Sequence, residues 1–553
     1  MCRMSRSFVL EQLPTMTLVA VVDGYIDEPG SLGVPPYIHP LIRAAYGAAK
    51  DAGADASYHT IDDLRQGWLP DKADVVIFLT GSAVPGRYIR ASPASRREVE
   101  RFLPLMGGIK ILGGPLTMEK GLEGSGLFHI LATRDPASCL FDYLIGDGPS
   151  NRWRTVDEWN RWLMMGADIV TKHRDFPQPL VAEIETYRGC VRYKSGGCSF
   201  CVEPLKGIPV CREPGDIIAE CRKLHDLGVR NFRLGAQTCF ISYHAHLDGT
   251  ETPIPDPEAI EELLSGVASL GVDLLHLDNA NPAVIAAHPV ESELILRSIV
   301  RHCTSGNVLA LGLESADPAV VRANNLNAST EQVMDAIEMI NRIGRERGPT
   351  GLPAVLPGLN FIVGLDGETK KTLELDYDFL RTVLERDLLV RRINIRQVIG
   401  IRRKFEQGVS HSDFLKFKEK VRETIDRPML ERVAPLGTVL RRVYTEMHEG
   451  KTSFGRQIGT YPLLVGFSYP IELGKFIDAV VTGHGYRSLT AVEHPLMINK
   501  CSLTAIASLP SVGKKRAANI LVHRPYRSKQ EFIASMDDQV VGEMLAKMLD
   551  FSA

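Results

Sequence analysis

Residues 185–204 read ETYRGCVRYKSGGCSFCVEP and place Cys190, Cys198 and Cys201 in one glycine-bearing loop. The chain carries ten cysteines in 553 residues, too sparse for a disulfide scaffold. The default setting is therefore a reducing cytoplasm, where a tight cysteine group points to metal or redox chemistry. Three readings compete. The thiols pack as small apolar groups, as Cys139, Cys221, Cys303 and Cys501 are expected to do singly. Or Cys198-x-x-Cys201, completed by Cys190 and Cys211, holds a structural zinc ion. Or Cys190, Cys198 and Cys201 bind a 4Fe-4S cluster through three irons and leave the fourth open.

Moving outward, the loop directly follows the apolar run LVAEIETY, and five further strand-like runs succeed it: NFRLGA, LLHLDN, VLALGLES, LNFIVGLD and RINIRQVIG. Helical patterns separate them. One of these, STEQVMDAIEMINRIG, opens with Ser329 and carries Gln332 three positions on, a capping-box spacing. Six βα repeats across residues 181–400 predict a (β/α)6 partial barrel with its active site at the C-terminal strand ends. The cysteine loop falls at such an end, and Phe200 is placed to shield a cluster from solvent. This favours the iron–sulfur reading.

On the N-terminal side, residues 1–150 alternate short buried-type strands (Leu18–Val22, ADVVIFLTGSA, IKILGGPLT) with helical stretches. That alternation predicts an α/β, doubly wound, Rossmann-like domain. Residues 151–180 read as a linker and 401–450 as a charged helical linker. Residues 451–500 are dense in Gly and Pro with short β-type runs, as in a small β domain. Residues 501–553 begin as helix, tight turn, helix. The net charge of −3 gives no global pull toward nucleic acid or membrane. No run of eighteen apolar residues predicts a transmembrane helix, and the start of the chain reads without a secretory signal.

The cysteine loop resembles that of radical S-adenosylmethionine (radical SAM) enzymes, in which an aromatic residue precedes the third cysteine. The usual spacing there is C-x3-C-x2-C; this chain has C-x7-C-x2-C, with the four extra residues inside VRYKSGG. The stretch LALGLESADPAVVRANNLNASTEQVMDAI resembles the fourth-strand region of the branch that carries a cobalamin-binding-like N-terminal domain. The resemblance implies a 4Fe-4S cluster on Cys190, Cys198 and Cys201, and S-adenosylmethionine beside Phe200, Gln237, Glu314, Gly364 and Gly367. In it, Glu314 faces the ribose, the two glycines admit adenine, and Gln237 is the candidate for the amino group. It also implies reductive cleavage to methionine and a 5′-deoxyadenosyl radical, with electrons from a ferredoxin- or flavodoxin-type donor. Cobalamin stays open as a third cofactor, because the D-x-H-x-x-G motif that supplies an axial histidine is missing. His39 and His59 read as surface or capping residues.

LPSVGKKRAANI (Leu509–Ile520) resembles the helix-hairpin-helix motif, with Ser511 in place of one glycine and Gly513 retained. Gly513, Lys514, Lys515 and Arg516 would then face a phosphate backbone, and no acidic residue occurs from 514 to 529. The Gly-rich segment before it is loosely similar to the TRAM barrel that brings RNA to some radical enzymes. The resulting expectation is methylation or a related modification of RNA. Modification of a protein or metabolite, and a zinc-stapled nucleic-acid-binding protein, are the alternatives. Methylthiolation fits less well, since residues 1–150 offer only Cys2 and Cys139.

Overall fold

The computed structural model describes residues 16–26, 37–81, 92–119, 121–122 and 125–552; Cys2 lies outside them. The first strands are β1 (Leu18–Asp23), β2 (Tyr37–Ile38), β3 (Asp55–Thr60), β4 (Val75–Leu79), β5 (Ile109–Gly113) and β6 (Ile130–Ala132). Five of them form one parallel sheet in the order β3-β1-β4-β5-β6. All five residues of β4, VVIFL, are buried, as a parallel sheet covered on both faces requires. The strand order reverses between β1 and β4, which makes the crevice beyond Asp23 the topological switch point where such sheets take ligands. Asp23 is buried there and accepts from the Tyr25 amide at 2.8 Å and the Tyr58 hydroxyl at 3.0 Å.

Strand β2 belongs to another sheet. It pairs in parallel with β7 (Val181–Glu185) and so adds a strip of the N-terminal region to the edge of the barrel. Strands β8 (Tyr187–Arg188) and β9 (Val210–Cys211) form a short antiparallel pair at either end of the cysteine loop. The barrel continues through β10 (Asn231–Gly235), β11 (Leu274–Leu277), β12 (Asn279–Ala280), β13 (Asn307–Glu314), β14 (Val355–Val363) and β15 (Ile393–Gln397). One half runs β11-β10-β7-β2 and the other β12-β13-β14-β15, and every neighbouring pair is parallel. Asp278 alone separates β11 from β12, so the two halves make an open six-unit α/β barrel. Its helices include Thr330–Gly344, which begins with the reciprocal Ser329–Gln332 capping box expected from sequence.

Beyond the barrel, the helices His411–Val421 and Arg427–Val433 occupy only part of the segment read as a helical linker. Val439–Glu449 is instead β16, the first strand of a closed barrel with β17 (Thr452–Gln457), β18 (Leu464–Phe467), β19 (Phe476–His484) and β20 (Ser488–Glu493). Charged residues on its outer face obscured the alternation in VLRRVYTEMHE, so the β domain starts earlier than residue 451. The loop between β17 and β18 plugs the lower end of the large barrel. There the Thr460 amide donates to His276 Nδ1 at 3.1 Å and the Tyr461 hydroxyl donates to Asp278 at 2.6 Å. The tail holds four short helices bracketed by β21 (Leu496–Met497) and β22 (Leu549–Asp550), which pair in parallel. Among the described residues no helix is long and apolar enough to cross a membrane.

Candidate functional site

The cysteine loop leaves β8 at Gly189, whose φ of +107° is open to glycine and whose added Cβ would stand 2.5 Å from the Ile208 carbonyl. The Cys190 amide donates to the Gly207 carbonyl at 3.0 Å, and the Cys201 amide to the Cys198 carbonyl at 3.1 Å. Two arginines fix the rest. Arg402, from the segment after β15, donates through Nη1 to the carbonyls of Gly196, Cys198 and Cys201 at 2.8, 3.0 and 2.8 Å. Arg192, inside the enlarged segment, donates to Glu251 at 2.8 Å, to the Asn325 carbonyl and side chain at 2.9 and 3.0 Å, and to Cys198 Sγ at 3.2 Å. Ser199 completes the attachment through its amide and hydroxyl on Asn324, at 3.0 and 2.9 Å.

All three thiols line one cavity of about 450 Å3, within the usual size of a cofactor site of roughly 300–1,000 Å3. Phe200, Gln237 and Glu314 line it as well, so six of the residues singled out in the sequence lie together around one cavity. Phe200 and Cys198 pack on an apolar patch of Val320, Leu326 and Leu365, which covers that flank against water. Burial pushes the thiols of Cys198 and Cys201 up to about 12; the Glu314 carboxylate adds to the rise at Cys198 while Arg192 opposes it. Each thus holds its proton as a thiol, and a metal bound there would have to displace it. Cys211, the fourth ligand of the zinc reading, sits on β9 and does not line this cavity. Among the described residues no three Cys, His, Asp or Glu side chains converge as ligands of a single metal ion.

Glu314 ends β13 with φ +59°, an unusual conformation for a residue with a side chain. Two features hold it. A Cβ on Gly312 would come within 2.6 Å of its carboxyl, so the glycine makes room for it. Behind it, Asp376 accepts from the Ala316 amide at 2.6 Å and the Ser315 hydroxyl at 3.2 Å, anchoring the turn. Burial lifts the Glu314 carboxyl to about 8, with Arg192 pulling the other way, although the group still reaches solvent through the cavity. Gln237 is oriented by its own amide on the Leu234 carbonyl at 2.9 Å and by the Thr186 hydroxyl at 3.3 Å.

Gly364 and Gly367 do not line the cavity; both have left-handed φ, +98° and +80°, in the turn after β14. Their glycine requirement is met by that turn, where the Gly364 amide donates to Glu368 at 2.6 Å. In the tail, Gly513 is the N-cap of the helix Lys514–Val522, and Lys514 and Lys515 are exposed. Arg516 is committed elsewhere, to Asp537 at 2.7 Å and the Ser511 carbonyl at 2.7 Å. Sequence reasoning missed Arg192, Gly312, Asp376, Cys239 and the polar wall of Asn360, Asn394 and Arg396. The one readable signal was a polar residue at alternate positions of INIRQ, facing inward in a strand otherwise buried.

Residues 184–380 match the Radical SAM superfamily. The chain belongs to that superfamily and is an enzyme of the radical SAM class. It is 42% identical to an uncharacterized protein of Methanocaldococcus jannaschii, over 85% of this chain and 92% of that one. An uncharacterized protein of Archaeoglobus fulgidus is also 42% identical, over 93% of this chain and 97% of the relative. Among solved structures, the radical S-adenosylmethionine methyltransferase TsrM of Kitasatospora setae, with tryptophan and aza-SAM bound, aligns at 13% identity and a TM-score of 0.48, covering 78% of this chain and 79% of that one.

Proposed function

We propose that the chain uses a 4Fe-4S cluster on Cys190, Cys198 and Cys201 to cleave S-adenosylmethionine, for methylation or a related modification of RNA. The observation that carries the first half is the convergence of these three thiols with Phe200 and Glu314 on one cavity. Such a cluster supplies, when bound, the single electron that the cleavage consumes, delivered by a ferredoxin- or flavodoxin-type donor. The protein does the rest. Arg192 and Arg402 hold the thiol loop in one shape, and Phe200 with its apolar patch limits water on that flank. Glu314 offers a carboxyl to the two ribose hydroxyls, and Asp376 keeps it at its strained position. Gln237 presents one polar edge toward the cofactor space.

Cobalamin is the proposed third cofactor, at the switch point of the N-terminal sheet. His39 accepts from the Leu41 amide at 3.1 Å as a helix cap, and His59 stacks on Trp68 with ring centroids 3.4 Å apart. A corrin there is proposed to be held by contacts other than these two histidines. The RNA half rests on the hairpin, whose exposed Lys514 and Lys515 flank the turn. The test is anaerobic purification of the full chain. Brown protein with about four irons, lost in each of Cys190→Ala, Cys198→Ala and Cys201→Ala, is expected. A colourless protein with one metal would refute it in favour of the zinc reading.

A further inference from the structure

We propose that the enlarged cysteine loop serves to place Arg192 against a cluster ligand, where it sets the cluster's reduction potential. The inference rests on the cluster reading above. Of the seven residues between Cys190 and Cys198, two are cationic, and they differ completely in setting. Lys194 is exposed, whereas Arg192 is 5% exposed. Its guanidinium is fixed by the Glu251 carboxylate at 2.8 Å and by two acceptors of Asn325 at 2.9 and 3.0 Å. The remaining contact of Nη1 is Cys198 Sγ, at 3.2 Å. Asn325, with φ +48°, also returns a bond from its own amide to the Gly197 carbonyl at 3.0 Å, so donor and ligand are locked in one unit.

A cationic N–H aimed at a ligand sulfur draws electron density from it. Because cluster reduction adds negative charge, hydrogen bonds to the sulfurs and nearby charge are the protein's means of setting the potential. Arg192 therefore favours the reduced state. Glu251, its ion-pair partner, is 42% exposed on its side chain and works in the opposite sense by offsetting the cation. No bond is made or broken in the step concerned; one electron passes from the external reductant to the cluster.

The test compares wild type, Arg192→Gln, Arg192→Lys and Glu251→Gln as full-length, anaerobically reconstituted proteins. Iron is assayed chemically, and the reduced fraction is followed by electron paramagnetic resonance during a mediated dithionite titration. With iron retained, Arg192→Gln should lower the reduced-to-oxidised ratio at fixed potential about tenfold, or ~59 mV for one electron. Glu251→Gln should shift it the other way, and Arg192→Lys should fall between wild type and Arg192→Gln. A role confined to stapling the loop predicts no opposite shifts: both partners of the pair would simply lose iron. Equal potentials, or shifts of the same sign, with full iron overturn the proposal. If Arg192→Gln loses its iron, an unshifted potential in iron-replete Arg192→Lys overturns it instead. Wild-type protein without iron would mean that the cluster reading itself has failed.

Discussion

Arg402→Ala isolates the support of the thiol loop from its chemistry. The Nη1 nitrogen carries two hydrogens, yet three carbonyls lie within 3.0 Å of it, so at least one hydrogen is shared. The contact therefore counts as about two charge-assisted bonds, each worth about 1.5–3 kcal/mol when lost. Gly196, Cys198 and Cys201 are half-buried, and water can replace part of that loss. A net cost of about 1.5–3 kcal/mol is the expectation. If that cost falls on the loop's metal-competent shape, iron retention weakens by roughly 10- to 150-fold, at about 1.4 kcal/mol per tenfold. The assay is anaerobic competition with a graded iron chelator, read as the chelator concentration that strips half the iron. Arg402→Lys, which keeps a donor but not the planar fork, should fall between wild type and alanine. Equal chelator midpoints for wild type and Arg402→Ala would refute the reasoning, because the loop would then hold its shape without the clamp.

Three other variants address separate parts of the chain. Glu314→Ala should retain iron yet bind S-adenosylmethionine about 1–3 kcal/mol more weakly by calorimetry; unchanged affinity would place the carboxyl outside the nucleoside contact. Asp23 is raised from 3.8 to about 7 by burial, so the folded chain keeps a proton that the unfolded chain releases. Its contribution to stability is full below about pH 4 and is lost as pH rises through about 7. Asp23→Asn should therefore flatten the fall and gain up to about 4 kcal/mol at pH 8 relative to wild type, by denaturant midpoints; an unchanged slope contradicts this. Arg516 is paired with Asp537, which leaves Lys514 and Lys515 as the solvent-facing cations among the residues assigned to the turn. Replacing both with Ala should reduce the slope of log affinity against log salt for single-stranded RNA by about 1.4 in filter binding. Wild-type protein without salt-dependent RNA binding would end the RNA reading and favour a protein or metabolite.

The parts of this molecule that were legible in sequence share a physical property: the residue type itself is constrained. Strand β4 is covered on both faces of its sheet, and β7 lies between the barrel's helices and its interior, so each position must be apolar or internally paired, and the run stands out. Cysteine is sparse in this chain, so Cys190, Cys198 and Cys201 announce themselves by their clustering. What stayed hidden depends on partners far along the chain. Strand β2 is two residues in a Gly/Pro-rich setting, and only its register with Val181 and Ala182 makes it a strand. Asp376 supports Glu314 from a helix some sixty residues away, and nothing local marks a helical aspartate as a buttress. Arg192 reads in sequence like its exposed neighbour Lys194, and Arg402 like any arginine in a basic loop.

Among the described residues, the two flanking domains attach at the edge and the lower end of the large barrel. The N-terminal region joins the barrel edge through β2, while the small barrel inserts Thr460 and Tyr461 at the lower end, onto His276 and Asp278. Cys198, Glu314 and Asn394 meet at the other end, in the cavity. The small barrel thus closes the end remote from the thiols and fixes Asp278, which is also paired with Arg233 inside the barrel. RNA held by the hairpin would also have to reach the cavity. A metabolite substrate would accordingly be turned over as well by Lys514→Ala/Lys515→Ala protein as by wild type, whereas an RNA substrate would show a raised KM with little change in kcat.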